Sequence, residues 1–531
     1  MTKDQANRVT GPELACLGAL TVAACLVFWL FDALPFQDLP AHAGLIAMRH
    51  RFPTSAFEQR FFVLAPHLGP YSLFRLLGEG FDRLLGPVGA VRAIATLPVL
   101  ATPAALLFAR RTLQKDRSLT VGFLGLVLSF GLMTLLGFAS YLLGVAVMLV
   151  GLTLWLDLLA RADRGEPARG RELVVMAYVP LVLVAHGHAY VIFLLLAAVA
   201  CLATGNRRRR FVRLRALVPS LGLAAWVAWV ERVTLTPPGS VPLPRNFEPR
   251  FQGVYDKLSL LATPTLMTRT GIDLLVGILV WALLLAAAVA TLRAMGPSRS
   301  GAGDGAQDWA PHSRALYAGA ATVAVVFLAL PHAIGWFGFV DGRLVPIVLL
   351  LGAMAFRWEP LPPLVRVGLR GGAPVFAAVI VTLALVASHD FQAEARGYEE
   401  ILALVPAEAR LLNLPLDPNS RVFTAHPFIH YDKLVMADRP IVVSDIWFHQ
   451  GSALYPTAHN PALRLPASYS ESNLQRLDWP SYELEDWDYV LLRTRPDATA
   501  PDTPASLTLA RHAGGWWLYR RAGLVRPVGG R

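Results

Sequence analysis

The sequence predicts a polytopic α-helical membrane protein with about eleven transmembrane helices, short helices along its outer face and a small C-terminal α/β domain. Of the 531 residues, 55% are hydrophobic and only 16% are charged, whereas soluble domains carry roughly a quarter charged residues. Apolar runs of spanning length recur from residue 13 to residue 389 and then stop. We therefore expect a membrane domain over 1–390 and an α/β domain over 391–531.

Each transmembrane helix needs about 20 mostly apolar residues. The candidate spans are 13–33, 87–109, 118–136, 139–160, 172–187, 188–205, 212–231, 271–294, 314–332, 344–357 and 373–389. Between the fifth and sixth spans lies His186-Gly187-His188, which favours a tight hairpin. No small-residue cleavage motif follows the first span, so we interpret it as an uncleaved helix and not as a signal peptide.

The net charge of +11 comes from short basic clusters between apolar runs, which indicate orientation and contacts to lipid headgroups but no nucleic-acid partner. Placing these clusters in the cytoplasm predicts a multi-pass protein of the bacterial inner membrane, with a cytoplasmic N-terminus and a periplasmic C-terminal domain. The clusters are 110–117, 161–171, 207–215, 293–314 and 357–370. The three cysteines suggest neither a disulfide framework nor a zinc site.

Several connecting segments have structure of their own. Residues 39–50 and 71–85 have the pattern of amphipathic helices that lie along the interface, and Gly296–Trp309 is typical of a flexible linker. In the tail we expect a helix over Tyr398–Leu412 and strands at 421–424, 441–444, 488–492 and 516–519.

Asp38 lies just beyond the first apolar segment. Ionisable groups at membrane depth are costly, so a carboxylate at this boundary indicates a functional site. The alternative is that Asp38 caps a helix starting at Leu39-Pro40, because aspartate followed by proline is a favourable helix start.

Several stretches in order resemble the polyprenyl-phosphate-dependent glycosyltransferases of the GT-C superfamily, in the bacterial group related to protein O-mannosyltransferases. The likeness covers roughly residues 13–390. The stretches that carry it are Gln37-Asp38-Leu39-Pro40-Ala41-His42, Gly69-Pro70-Tyr71-Ser72-Leu73-Phe74-Arg75 with Leu84-Leu85-Gly86-Pro87, Gly137-Phe138-Ala139-Ser140-Tyr141-Leu142-Leu143-Gly144, Ala185-His186-Gly187-His188-Ala189 and Asp341-Gly342-Arg343-Leu344-Val345-Pro346.

The resemblance implies a membrane enzyme that moves a sugar, with inversion, from a polyprenyl-phosphate donor to a glycan, lipid or protein acceptor at the outer face. Such a reaction needs a base for the acceptor and cations for the leaving phosphate. Asp38 would be the base. The family often has a second acidic residue near the first, and here the nearest are Asp32 and Glu58.

His42 lies four residues after Asp38, so a helix would place both on one face. It could orient Asp38, contact phosphate or make an ordinary hydrogen bond. The sequence implies no cofactor with certainty. A divalent metal, Mg²⁺ or Mn²⁺, is an option, and Asp38 and His42 would then be its ligands.

Arg343 is the best candidate for the donor phosphate, because a guanidinium offers a fixed fork that suits phosphate oxygens; the alternative is snorkelling to headgroups. Asp341 could pair with it. His186, His188, Tyr71 and Arg75, with Tyr141, could complete the donor site. These residues could equally form a turn and anchor the chain at the interface.

Two further sets of polar residues could have a functional role. Arg245, Arg250 and Lys257, in the loop 233–270, could recognise phosphate or cover the site. The tail contains a histidine-rich set without a standard metal-binding motif. Its members are His426, His430, Tyr431, Asp445, His449 and Gln450.

Two other functions remain as alternatives. A transporter or flippase of lipid-linked sugars would favour charged or broken helices at mid-membrane, whereas here the notable charges cluster at the outer ends of spans. Many transporter folds also contain internal repeats, and the sequence shows none. A non-catalytic scaffold for envelope assembly would use the tail as a binding domain. The sequence has no phosphate-binding GxxxxGKS loop and no GxSxG elbow, which argues against cytoplasmic ATP-driven work and a serine hydrolase.

Overall fold

The computed structural model describes residues 9–65, 69–203, 207–233, 237–242, 247–295, 310–335, 337–447, 453–472, 474 and 477–524. Arg245, His449, Gln450 and the predicted linker 296–309 lie outside these residues. In chain order the helices are α1 Gly11–Leu26, α2 Leu39–Arg51, α3 Ala56–Phe61, α4 Ser72–Gln114, α5 Thr120–Leu128, α6 Leu132–Leu135, α7 Ala139–Arg164, α8 Arg169–Ala185, α9 Gly187–Ala203, α10 Arg207–Arg213, α11 Val218–Val233, α12 Val254–Ser259, α13 Ile272–Ala294, α14 Ala310–Ala329, α15 Leu344–Ala355, α16 Pro363–Ala395, α17 Tyr398–Leu402 and α18 Leu434–Asp438.

The chain is a multi-pass helical membrane protein, but the predicted count of eleven spans is not confirmed. Among the described residues, six helices are long and apolar enough to cross a membrane. Five of them lie within α4, α7, α13, α14 and α16, and the sixth, Arg210–Val230, runs from α10 into α11. Three shorter apolar helices, α1, α9 and α15, accompany them. The remaining predicted spans fall on helices that are too short or too polar to meet the same criterion.

The predicted span 118–136 is broken into α5 and α6. At the break, a Cβ on Gly131 would lie 2.4 Å from the carbonyl oxygen of Pro264. The amide of Leu132 donates to the carbonyl of Thr263 over 2.9 Å. The carbonyl of a neighbouring loop therefore accepts the hydrogen bond that the amide of Leu132 would have donated within a continuous helix. All nine residues of α5 are buried.

The 43-residue helix α4 bends where Gly86 adopts a φ of 71°, just before Pro87. Proline cannot donate the helical hydrogen bond, and glycine tolerates the positive φ, so the pair divides the helix. The part before the bend corresponds to the predicted interfacial helix, and the part after it to the predicted span 87–109. Helix α2 matches the predicted interfacial segment 39–50.

The tail forms a five-stranded mixed sheet in the order β5-β4-β7-β9-β8. The strands of the chain are β1 Phe62–Leu64, β2 Pro249–Arg250, β3 Ala333–Ile334, β4 Ala409–Pro415, β5 Ile441–Val443, β6 Leu454–Pro456, β7 Tyr489–Arg493, β8 Leu507–Ala513 and β9 Trp516–Arg521. Strand β4 pairs in parallel with β5 and β7, whereas β9 pairs antiparallel with β7 and β8.

Strands β5, β7 and β9 confirm three of the four predicted tail strands. The predicted strand 421–424 is wrong, because Phe423 forms an isolated bridge with Thr268 of the membrane region. The predicted helix Tyr398–Leu412 is also wrong in its second half. Helix α17 ends at Leu402, and the buried apolar residues from Ala409 onward form β4 at the centre of the sheet.

The tail is joined closely to the membrane region. Helix α18 packs on α2, and β6 of the tail pairs antiparallel with β1, which follows α3. The hydroxyl of Tyr431 donates to the carbonyl of Leu34 over 2.9 Å. Helix α16 also runs past residue 390, where we expected the domain boundary. The tail therefore covers the face of the membrane region on which Asp38 lies.

Candidate functional site

The loop that carries Asp38 is fixed through its backbone. The amide of Gln37 donates to the carbonyl of Leu135 over 2.8 Å, and Gly137 packs against the backbone of Asp38. Asp38 does occupy the position before α2, but its side chain makes no capping hydrogen bond. The helix therefore starts where the sequence predicts, without using the carboxylate, which lines a cavity instead.

This cavity has a volume of about 200 Å³. It lies between one face of α2 and the interfacial start of α4, and is closed by the start of α7, the loop before α15 and Trp447 of the tail. Six of the seven predicted site residues line it: Asp38, His42, Tyr71, Arg75, His186 and Arg343. His188 is not part of the wall, although its ring centroid lies 6.0 Å from that of Tyr141, and its contact with the donor stays a prediction.

Arg343 is the main cation of the cavity. Its side chain is only 6% exposed, and its guanidinium lies between the rings of Phe138 and Phe337, 4.3 and 4.1 Å from their centroids. One Nη donates to the carbonyl of Gly338 over 3.2 Å, while Nε has no hydrogen-bond partner among the described residues. Burial lowers the pKa of Arg343, yet guanidinium remains charged at neutral pH.

The expected pairing of Asp341 with Arg343 is wrong. Asp341 contacts His332 at 2.9 Å and Lys257 at 3.5 Å. The ammonium of Lys257 also donates to carbonyls at the end of α14, which satisfies groups that the helix leaves free. Lys257 is thus buried in a structural role, and Arg250 donates to the carbonyl of Gly335 on an exposed surface.

His42 is packed and uncharged. Its ring lies 4.5 Å from that of Phe74 and 4.9 Å from that of Trp447, measured between centroids. Burial, together with the charge of His430, lowers the pKa of His42 to about 3. At neutral pH His42 therefore shapes the cavity beside Asp38 as a neutral ring.

Tyr71 and His186 form the opposite wall. Their ring centroids lie 4.8 Å apart, and Tyr71 has a φ of 70°, a left-handed conformation that is costly for a bulky residue. The Nδ1 atom of His186 is buried without a hydrogen-bond partner among the described residues. Strain and an unmatched polar atom at one wall are typical of a site shaped for a ligand.

The tail supplies the rest of the polar environment. His430 lies with Nε2 3.6 Å from Oδ1 of Asp38, and its Nδ1 is 3.1 Å from Oε2 of Glu471. The Nζ of Lys433 is 2.5 Å from the same oxygen of Glu471. The sequence indicates His430 only as one of a histidine-rich set. It contains no signal for Glu471 or Lys433, because a lone acid and a lone lysine form no motif.

The pKa of Asp38 lies above its usual range. Burial raises the pKa of Asp38 to about 6, with a smaller increase from Asp445 and opposing effects of His430, Gln37 and Arg343. Asp445 of the tail is therefore a second carboxylate whose charge acts on Asp38. Of the two acids near Asp38 in sequence, Glu58 is paired with Arg51 at 2.9 Å, and Asp32 does not line the cavity.

Within the described part of the chain, no group of three or more His, Cys, Asp or Glu side chains is arranged to hold a metal ion. A site for Mg²⁺ needs few protein ligands, because this ion usually keeps several waters. The divalent metal at Asp38 and His42 therefore stays a prediction.

No protein-family model matches the chain, and no curated protein matches it. Solved structures do resemble it. Arabinofuranosyltransferase AftD from Mycobacteria has 15% identity and a TM-score of 0.47 over 99% of this chain and 40% of that one. Oligosaccharyltransferase from Archaeoglobus fulgidus has 12% identity and a TM-score of 0.45 over 90% of this chain and 69% of that one. Both are members of the GT-C superfamily.

The GT-C superfamily is the group that the ordered sequence motifs resemble. At these identities and TM-scores the likeness is one of overall architecture, and the chain spans less than half the length of the AftD structure.

Proposed function

We propose that this chain is an integral membrane glycosyltransferase that moves a sugar from a polyprenyl-phosphate donor to an acceptor, with inversion. The observation that carries the proposal is that Asp38 and Arg343 line one cavity. The first is a carboxylate that caps no helix, and the second is a buried cation with an unmatched N–H.

Arg343 supports the part of the proposal that concerns the donor phosphate. No carboxylate forms an ion pair with it within 4 Å among the described residues, although Asp38 is close enough to influence its pKa. A buried charge is costly unless it is paired. A donor phosphate would supply the missing anion, and the fork of the guanidinium matches its oxygens.

The apolar part of the cavity wall supports the part of the proposal that concerns the isoprenoid chain of the donor. Leu45 and Ile46 on α2 and Phe74 on α4 line the same cavity as Asp38, so part of its wall is apolar. Beyond them, Arg49 and Glu79 form an ion pair at 3.1 Å. An isoprenoid chain would lie along this apolar stretch, with its phosphate at Arg343.

In the proposed step, the acceptor oxygen or nitrogen attacks the anomeric carbon from the face opposite the phosphate. Asp38 takes the acceptor's proton as the new bond forms. The bond between the anomeric carbon and the phosphate oxygen breaks, and its electron pair stays on the phosphate, where Arg343 stabilises the charge. Attack from the opposite face inverts the configuration. A glycan, a lipid or a protein would fit as acceptor.

We place this site at the outer face of the cytoplasmic membrane, with the tail in the periplasm. Arg161 and Arg164 lie in the last turn of α7, whose first turn lines the cavity. Likewise Arg111 lies in the last turn of α4, far from its cavity-lining start. Arginines gather on the cytoplasmic side of membrane proteins, which supports an outward-facing cavity.

A binding experiment tests the donor. The purified full chain in lipid nanodiscs is titrated with polyprenyl phosphate and, separately, with polyprenol of the same length. We expect the phosphate to bind at least about tenfold more tightly, since one charge-assisted contact contributes roughly 1.5–3 kcal/mol, and Arg343→Gln to remove that preference. The exposed Arg250→Gln is the matched control and should keep it. Equal binding of both lipids by the unaltered chain would refute a phosphate site at Arg343.

A transfer assay separates the alternatives. Radiolabelled sugar on polyprenyl phosphate is supplied from the cavity side, and transfer to acceptors is followed. A flippase would move the donor across the membrane without breaking the sugar–phosphate bond, and a scaffold would leave it intact on its own side. Either result would contradict the proposed reaction.

A further inference from the structure

The loop between α11 and α13 has an extended apolar surface. Six large hydrophobic side chains within 247–261 are between 37% and 85% exposed. Four of them lie on one face of α12 and of the turn that follows it, whereas Lys257 and Leu260 on the opposite side are buried. Segments with one apolar face lie along membrane surfaces, and contiguous exposed apolar patches mark interaction sites. The six side chains are Phe247, Phe251, Val254, Tyr255, Leu258 and Leu261, of which the last four form the face on α12.

The end of this segment lies beside a membrane-spanning helix. The indole Nε1 of Trp281 donates to the carbonyl of Leu261 over 3.0 Å. Trp281 is nine residues after Ile272, the first residue of α13, so its Cα lies roughly 13 Å along the helix from that end. On the same helix, a Cβ on Gly277 would lie 2.0 Å from Oγ1 of Thr265. The chain therefore descends alongside α13 after α12, and its exposed apolar side chains lie next to the apolar part of that helix.

The apolar surface of the segment adjoins the exposed sides of two membrane-spanning helices. At the end of α14, Nζ of Lys257 donates to the carbonyls of Phe327 and Leu328. The side chains of Val325 and Leu328 are themselves exposed there. The segment 247–261 is therefore continuous with surfaces that face lipid, because a spanning helix turns its exposed apolar side chains to the bilayer. The exposed apolar side chains in the first half of α13 are Ile272, Leu275, Ile278 and Leu279.

The same segment holds the loop that carries Arg343. Strand β2 pairs antiparallel with β3, which lies at the start of the loop 333–343. Near the other end of this loop, Nζ of Lys257 lies 3.5 Å from a carboxylate oxygen of the fully buried Asp341. The loop is thus attached to the apolar segment at both ends, and between or beside these contacts it supplies Phe337 and Arg343 to the cavity wall.

We propose that residues 247–261 insert into the bilayer leaflet on the cavity side as an interfacial anchor, and that this anchor holds Arg343 at the depth of a lipid phosphate. The exposed ionisable residues of the segment, Glu248, Arg250 and Asp256, give no excess of positive charge. Insertion therefore depends on buried apolar area and not on attraction to anionic headgroups. The anchor itself is independent of the chemistry, whereas its effect on donor binding rests on the proposed function.

Photolabelling tests the insertion. The full chain is placed, one copy per nanodisc, in phosphatidylcholine with a diazirine on its acyl chain, and adducts are located by peptide mass spectrometry. We expect labelling of Tyr255, Leu258 and Leu261, to the same extent when anionic phosphatidylglycerol is included. Leu509, which is 46% exposed on β8 of the tail, is the internal control and should stay unlabelled. Labelling of the segment no greater than that of Leu509 would overturn the proposal. Labelling that is lost when two copies share a disc would also overturn it, since a second copy then covers the surface.

Leu258→Glu tests the link between the anchor and Arg343. Leu258 is 52% exposed, so the substitution leaves the core intact, whereas a charge disfavours insertion. We expect weaker photolabelling and an affinity for polyprenyl phosphate about threefold lower or more, as for loss of one hydrogen bond.

Two control variants should bind polyprenyl phosphate like the unaltered chain. Leu258→Trp keeps a side chain suited to the interface, and Leu509→Glu makes the same charge change on the tail. Weaker labelling of Leu258→Glu with unchanged phosphate binding would overturn the link to Arg343. If the unaltered chain binds polyprenyl phosphate no better than polyprenol, the proposed donor site fails, and the photolabelling of 254–261 still decides whether the anchor exists.

Discussion

Gly137 lies directly against the backbone of Asp38. A Cβ on Gly137 would be 2.7 Å from the amide nitrogen of Asp38 and 2.9 Å from its Cβ. Gly137 also has a φ of 75°, which an L-residue adopts only with strain. The glycine before α7 therefore allows the loop of the candidate base to approach the cavity.

Gly137→Ala should displace Asp38. The substitution meets backbone atoms that cannot move aside easily, and an alanine at positive φ costs about 1 kcal/mol or more. We expect sugar transfer to fall by at least about tenfold, since small misplacements of reacting groups have large effects on rate. The assay is kcat with saturating donor. Gly371→Ala, where the added Cβ meets nothing within 4 Å, is the matched control and should behave like the unaltered chain.

Asp38→Asn should abolish most turnover while the donor still binds. Asparagine keeps the size of the side chain but cannot accept the acceptor's proton, and a general base typically contributes a factor of about 10²–10⁴. Turnover and the affinity for polyprenyl phosphate are measured on the same preparation. Asp32→Asn changes an exposed acid outside the cavity and should leave both values unchanged. Normal turnover in Asp38→Asn would exclude Asp38 as the base.

The membrane side of the cavity could be predicted from the sequence because its residues lie in short motifs at the ends of apolar segments. Asp38 follows the first apolar segment, Tyr71 begins the predicted interfacial helix and Arg343 precedes a late span, and the structure brings them together. The tail side could not be predicted in this way. The 3.6 Å approach of His430 to Asp38 joins residues nearly 400 positions apart, and hydrophobic periodicity reports only local structure.

The incorrect predictions of secondary structure also arise because hydrophobic periodicity reports only local structure. Periodicity over 398–412 suits either a helix or a buried strand, and short apolar runs leave this choice open. The strand forms because the residues from Ala409 onward lie between two parallel neighbours. In the membrane region, 118–136 is apolar enough for a span, but the loop carbonyl that interrupts the helix at Leu132 comes from Thr263, which is distant in sequence.

The transfer rate should rise with pH and level off above about pH 7. Only the carboxylate form of Asp38 can accept a proton, and burial raises its pKa to about 6. Below that value the protonated acid dominates, so kcat should fall about tenfold per pH unit. The measurement is kcat from pH 4.5 to pH 8 with saturating donor, with thermal unfolding followed in parallel to exclude loss of the fold. A rate that increases toward acid pH would identify Asp38 as a proton donor instead.

Arg51 ties the interfacial helix to the tail. It donates to Glu58 over 2.9 Å and to the carbonyl of Met436 in α18 over 2.7 Å. Glu58 is fully buried, so Arg51→Ala leaves a carboxylate without its cation, which costs about 3 kcal/mol in comparable buried pairs. We expect a lower unfolding temperature and faster proteolysis of the tail, because the contact that breaks lies between the two parts of the chain.

The double variant Arg51→Ala with Glu58→Gln distinguishes this mechanism from simple loss of packing. Burial raises the pKa of Glu58, while Arg51 opposes the rise, so the neutral glutamine removes the charge that Arg51 had compensated. Because an uncharged amide is less costly to bury than an isolated carboxylate, the double variant should be more stable than Arg51→Ala alone. Arg60→Ala, at an exposed position of α3, is the control for loss of an arginine. A double variant no more stable than Arg51→Ala would show that the contact of Arg51 with the Met436 carbonyl, and not its pairing with Glu58, holds the tail in place over Asp38.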